Sequence, residues 1–148
     1  MTLDARIVFE QVRPAGTALT WCVHRPVAWP EGTAPGARTW QKALRFVPPR
    51  PGPVSGNGYA VLEVTDSADL YRFTSGAEID EFVRVMGNRV LPNAEALAAH
   101  YGMSLKNQIW ISRVPKRDYP RRAALVGFLR RNEAPFRRLI ARWDGPQR

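Results

Sequence analysis

Three adjacent arginine pairs, Arg121–Arg122, Arg130–Arg131 and Arg137–Arg138, fall near the end of the chain, and Arg142 follows them. A guanidinium is planar and permanently charged, and it forks onto phosphate through two parallel N–H donors. Spaced along helices, such groups contact successive phosphates, and each neutralised phosphate releases counterions. Arg113, Lys116 and Arg117 lead into the run. From Arg113 to Arg148 there are eleven basic and three acidic residues, a balance of +8. The first 112 residues hold eleven basic and ten acidic, a balance of +1. The chemistry implied is binding of a polyanion, dominated by phosphate contacts and with little sequence specificity of its own. Two plainer fates compete with it. The charges are the solvated side of amphipathic helices, or they pair internally with residues 63–81. That stretch carries Glu63, Asp66, Asp69, Glu78, Asp80 and Glu81 against Arg72 alone, a balance of −5.

Upstream, Ala96-Leu97-Ala98-Ala99-His100-Tyr101-Gly102-Met103-Ser104 resembles the first helix and turn of a helix-turn-helix motif. A Leu-Ala pair, a glycine at the turn and a serine to cap the next helix carry the likeness, which covers about twenty residues. It implies Lys106, Asn107 and Gln108 as candidates for base edges. The pattern departs where the second helix must be buried. Gln108 stands at an apolar position, Ile109-Trp110-Ile111 suits a strand, and Pro115 truncates the element.

Catalytic patterns are thin. Cys22 and His24 are two apart, on one face if the segment is a strand, and a thiolate–imidazole pair needs hydrogen-bond reach and a third orienting group. His24 and His100 are the only histidines, so a histidine-rich metal site is excluded. Glu63, Asp66 and Asp69 could hold Mg²⁺ for phosphodiester cleavage, although acids are also ordinary at strand ends. Gly56-Asn57-Gly58 lacks the Gly-Lys-Ser/Thr ending and the following helix of a phosphate loop. Trp29, Trp40 and Trp110 would stack on bases if exposed, but tryptophan more often fills a core. Arg45-x-x-Pro48-x-x-Pro51 fits a polyproline ligand pattern that any Pro-rich surface loop produces by chance.

The elements that must position these residues fall into two halves. Period-2 patterning predicts strands over 5–12, around Leu19-Trp21-Val23, around Leu44 and Phe46, over 59–64 and over 70–73. Pro/Gly-rich loops over 26–38 and 48–58 separate them. Ser75 and Glu78 form a capping box, followed by the stripe Ile79, Phe82, Val83 and Met86, with Gly87-Asn88 as the stop. Asn93 caps a short helix carrying Leu97 and Tyr101 that ends at Gly102. Asp118 or Tyr119 opens a helix with Pro120 in its first turn and Leu125, Phe128 and Leu129 on its buried stripe. Asn132-Glu133-Ala134-Pro135 starts another, which buries Phe136, Leu139, Ile140 and Trp143. If the last two helices run collinear, Arg130, Arg131, Arg137, Arg138 and Arg142 lie together opposite the apolar stripe.

Composition limits the class. A chain of 148 residues that is 45% hydrophobic, with five tryptophans, suits one domain with its own core. The expected fold is α+β: an antiparallel sheet from the N-terminal half, one face covered by three to four C-terminal helices, with 113–148 as a basic helical segment. A single cysteine excludes an internal disulfide and any multi-thiolate zinc site. No signal-peptide pattern and no run of ~20 apolar residues is present. The location expected is cytoplasmic, most simply a bacterial-type cytoplasm. Nineteen of the 22 basic residues are arginine, which a GC-rich genome also produces. The leading function is a small non-catalytic protein that binds nucleic acid or a nucleoprotein complex, with no cofactor or metal. One alternative is an interaction or inhibitor module that docks on an acidic protein, as a defence or mobile-element factor. A second is a metal-dependent nuclease acting through the acidic stretch.

Overall fold

In the computed structural model, residues 2–67, 69–102 and 118–143 are described. The fold is α+β, with an antiparallel sheet from the N-terminal half and four helices from the second half. Strand β1 (Asp4–Glu10) pairs with β4 (Tyr59–Thr65), which pairs with β5 (Leu70–Phe73), in the order β1-β4-β5. Strands β2 (Arg25–Ala28) and β3 (Arg45–Val47) form a separate two-stranded ribbon. The register sorts the sheet into two chemically different faces, because successive side chains point to opposite sides. Ile7 faces Leu62, Ala5 faces Val64, and Phe73 pairs with Leu62. These residues join the hydrophobic core with Ala60, Ile79, Phe82, Leu125, Leu129 and Phe136. The opposite face carries a charge ladder, in which Glu63 takes Arg6 at 2.9 Å and Arg72 at 3.0 Å, and Arg72 also meets Glu10.

The helices cover the apolar face. Helix α2 (Gly76–Met86) contacts β5 and α4 (Tyr119–Asn132), and α5 (Ala134–Ile140) contacts β4 and α4. Helix α3 (Ala94–Tyr101) is capped by Asn93, whose side chain accepts from the Ala96 amide at 2.8 Å, and ends at Gly102 with φ 67°. The expected strands at 59–64 and 70–73 and both of these cap positions are present.

Three expectations need correction. The segment around Leu19-Trp21-Val23 is helix α1 (Ala18–Val23), not a strand. Thr17 and Thr20 cap it reciprocally, Thr17 N–H to Thr20 Oγ1 at 2.9 Å and Thr20 N–H to Thr17 Oγ1 at 3.3 Å. Leu19 and Cys22 are then buried at i and i+3, a helical spacing that the alternation of Leu19, Trp21 and Val23 masks in the sequence. Second, the 26–38 loop begins inside β2. Pro26 is tolerated there because a two-stranded ribbon leaves one side of each strand without a partner and the register shifts between Pro26 and Ala28. Third, only half of the Ser75–Glu78 capping box forms. The Glu78 amide donates to Ser75 Oγ at 3.1 Å, but the Glu78 carboxylate turns inward.

The 48–58 loop closes at Gly58, where φ is +101° and an added Cβ would lie 2.6 Å from the Glu10 carbonyl oxygen. Both the left-handed backbone and the close approach require glycine. Gly58→Ala is expected to cost about 1–3 kcal/mol, read as a lower urea midpoint with an unchanged denaturant slope. An unchanged midpoint would show that β1 does not meet the loop this closely.

Candidate nucleic-acid interface

Helix α4 begins where sequence places it. The Asp118 carboxylate accepts from the Arg121 amide at 3.0 Å, and Pro120 occupies the first turn. Its buried stripe is Arg122, Leu125, Val126 and Leu129, at i, i+3, i+4 and i+7. An arginine thus occupies a core position. Arg122 is 1% exposed, donates to the carbonyls of Asn88 and Arg89 at 3.0 Å each, and lies 5.4 Å from the Tyr119 ring centre. Those carbonyls belong to the connection that follows α2, and the guanidinium gives each a charge-assisted donor. Arg122 is therefore a packing residue that ties α4 to that connection. It is withdrawn from the basic surface that sequence assigned to it.

Two further arginines are claimed by the acidic stretch. Arg121 reaches Asp66 at 2.6 Å and Asp69 at 3.3 Å, fastening the start of α4 to the β4–β5 turn. Arg137 reaches Asp80 at 2.6 Å and Glu133 at 3.1 Å, fastening α5 to α2. The expected five-arginine face therefore loses Arg137. Arg130, Arg131, Arg138 and Arg142 remain exposed and outside every ion pair among the described residues. Arg113, Lys116 and Arg117, and the base-edge candidates Lys106, Asn107 and Gln108, lie outside the described residues.

The acids of 63–81 do not form one block opposite these helices. Glu63 belongs to the ladder on the far face of the sheet. Glu81 holds Arg84 at 2.7 Å and accepts from the Tyr101 hydroxyl. Among the described residues no three His, Cys, Asp or Glu side chains come together as a metal would need. No described helix is long and apolar enough to cross a membrane.

The most chemically suggestive group in the molecule is buried. Glu78 is fully enclosed, accepting from the Thr20 hydroxyl at 2.7 Å, the Thr74 hydroxyl at 2.8 Å and the Thr74 amide at 2.7 Å. Beside it, His24 is 1% and Ser75 2% exposed, with His24 Nε2 2.7 Å from Ser75 Oγ and Nδ1 2.8 Å from the Pro48 carbonyl. A carbonyl only accepts, so Nδ1 carries the proton and Ser75 Oγ–H donates to Nε2. The pair has the connectivity of a serine nucleophile and its base, but no substrate reaches it. Its work is structural: Ser75 caps α2 and His24 ties that cap to the 48–58 loop. The sequence expectation had linked His24 with Cys22 on a strand. Cys22 instead sits in α1, where burial pushes its thiol up to about 12, leaving no thiolate at neutral pH.

Burial also lowers the His24 pKa below its ordinary value of 6.5, against the opposing pull of Pro48 and Glu78. Below pH 6.5 the unfolded chain takes up a proton that the folded chain resists, so stability falls as pH falls from there. Urea midpoints at pH 7.5 and 5.5 should show this loss, and His24→Asn should reduce the difference. Equal wild-type and variant pH dependence would contradict it.

Trp29 donates to the Thr39 carbonyl at 2.9 Å, and Trp40 packs on Trp21 at 5.7 Å between ring centres. Both are half-buried, Trp29 bonded within the β2–β3 connection and Trp40 packed against α1. Trp110 lies outside the described residues. Comparison with protein-family models, curated proteins and solved structures finds no match for this chain. The surface itself therefore supplies the basis for a functional reading.

Proposed function

We propose that this protein is a non-catalytic binder of nucleic acid, or of a nucleoprotein complex, that contacts phosphates through Arg130, Arg131, Arg138 and Arg142. The observation that carries the proposal is the division of labour among the seven described C-terminal arginines. Three are spent on the fold, and four stay exposed and outside ion pairs with the described residues. Exposed guanidiniums that stabilise nothing internally are available for phosphate, and each contributes counterion release. Arg113, Lys116 and Arg117 precede α4 and extend the same proposal, with Lys106, Asn107 and Gln108 as its base-reading candidates. We place the protein in the cytoplasm, where a single cysteine and the absence of disulfides are unremarkable.

The test is fluorescence anisotropy with labelled duplex DNA, single-stranded DNA and RNA over a range of salt. Binding of at least one is expected at low salt. For duplex, the four arginines contribute roughly −3 to −4 to the log–log slope, and contacts by Arg113, Lys116 and Arg117 steepen it further. No binding to any of the three, or binding indifferent to salt, overturns the proposal. Capture of a protein that survives nuclease treatment would instead favour docking on an acidic protein surface. Cleavage that needs Mg²⁺ or Mn²⁺ and stops with EDTA would favour a nuclease.

A further inference from the structure

Arg50 lies in the connection between β3 and β4 and is 4% exposed. Its guanidinium stands 5.5 Å from the Trp21 ring centre and 5.6 Å from that of Phe46. One terminal nitrogen donates to the Pro14 carbonyl at 3.0 Å, while Nε is buried with no hydrogen-bond partner among the described residues. No carboxylate among the described residues pairs with it. The negative charge it feels is that of Glu78, whose oxygens Thr20 and Thr74 already occupy.

A second cation faces the same place. Arg13 is exposed, stands 5.3 Å over the Tyr59 ring, and lines a recess with Arg50, Pro14, Gly52, Tyr59 and Thr74. The recess has room for one water-sized group, about 10 Å³. Burial and the charge of Arg13 push the Arg50 pKa down to about 10. A buried cation confronted by a like charge is costly unless an anion completes the site.

We propose that the Arg13–Arg50 recess binds a terminal phosphate group, one oxygen entering to accept from Arg50 Nε and the others meeting Arg13 at the mouth. A phosphate monoester carries about −1.5 to −2 charge and three equivalent oxygens, which suits two arginines and a one-oxygen opening. A phosphodiester within a strand has a single charge and two free oxygens, and its two ester groups crowd the mouth. The proposal stands apart from the α4–α5 face. Its ligand is either inorganic phosphate or the 5′-phosphate of a nucleic-acid end.

Phosphorus NMR and calorimetry with inorganic phosphate, on the full chain, test it. Arg13→Ala removes an exposed side chain and leaves the core intact, whereas an Arg50 substitution risks the fold. Wild-type protein is expected to bind phosphate in a chloride background, and Arg13→Ala to weaken it about tenfold. The combined variant Arg130→Ala, Arg131→Ala, Arg138→Ala, Arg142→Ala should bind phosphate as wild type does. Displacement of phosphate by a 5′-phosphorylated oligonucleotide, but not by its 5′-hydroxyl twin, identifies a nucleic-acid end as the ligand. Phosphate binding without such displacement identifies a free phosphate compound. Absence of phosphate binding, equal binding by Arg13→Ala, or loss of binding in the four-arginine variant overturns the proposal.

Discussion

Glu78→Ala is expected to destabilise the protein by about 3–5 kcal/mol, the range seen when a buried charge network loses one partner. Three donors converge on this carboxylate: the hydroxyls of Thr20 and Thr74 and the Thr74 amide. Each would be left buried and unpaired, at about 1–3 kcal/mol apiece before relaxation. Arg50 and His24 would also lose the negative charge that each of them feels. Glu78→Gln separates hydrogen bonding from charge. Its carbonyl can still take the Thr74 amide, and both threonine hydroxyls can turn to accept, so a smaller loss of about 1–2 kcal/mol is expected. Urea titration with circular dichroism decides it. Two variants of equal, wild-type stability would mean that the network does not hold α1 and the start of α2 together.

The arginine surface is expected to respond in the opposite way. Replacing Arg130, Arg131, Arg138 and Arg142 together by alanine removes four exposed charges that make no ion pair with a described residue. Stability should stay near wild type, because exposed substitutions away from such contacts fall within about 0.5 kcal/mol each. Nucleic-acid affinity at low salt should fall by roughly 10²–10³, since each lost phosphate contact removes its counterion release. Arg137→Ala should do the reverse. It releases Asp80 and Glu133, costs a little stability, and leaves the salt slope close to that of wild type. A count of charges treats Arg137 and Arg138 alike, whereas their surroundings separate them.

That separation marks the limit of what the sequence makes legible. The strands at 59–65 and 70–73 are readable because β-branched and aromatic residues cluster there between turns, although β4 is buried on both faces, with Val61 and Glu63 enclosed beside Leu62 and Val64. The caps at Ser75, Asn93, Gly102 and Asp118 are readable because capping is a local interaction within three or four residues. Helix α1 is not readable in the same way. It spans six residues, and Thr20 is drawn inward by Glu78, 58 positions away. Arg122 shares the helical spacing of Leu125, Val126 and Leu129, which is the one signal for its burial. The groups that satisfy it, the carbonyls of Asn88 and Arg89, lie 34 and 33 residues upstream and give no sign in the local pattern. Arg50 is hidden for the same reason, in a loop whose composition reads as surface. The lopsided charge of the chain was legible as a total. Which arginines are spent on the fold depends on contacts that only the folded chain brings together.

One measurement bears most directly on the proposed function: the salt dependence of duplex DNA binding by wild-type protein and by the variant lacking Arg130, Arg131, Arg138 and Arg142. A wild-type log–log slope that becomes shallower by roughly 3 to 4 in the variant, with folding unchanged, is the predicted result. A variant that binds with wild-type affinity and slope would contradict the account, because the contacts would then lie elsewhere on the molecule.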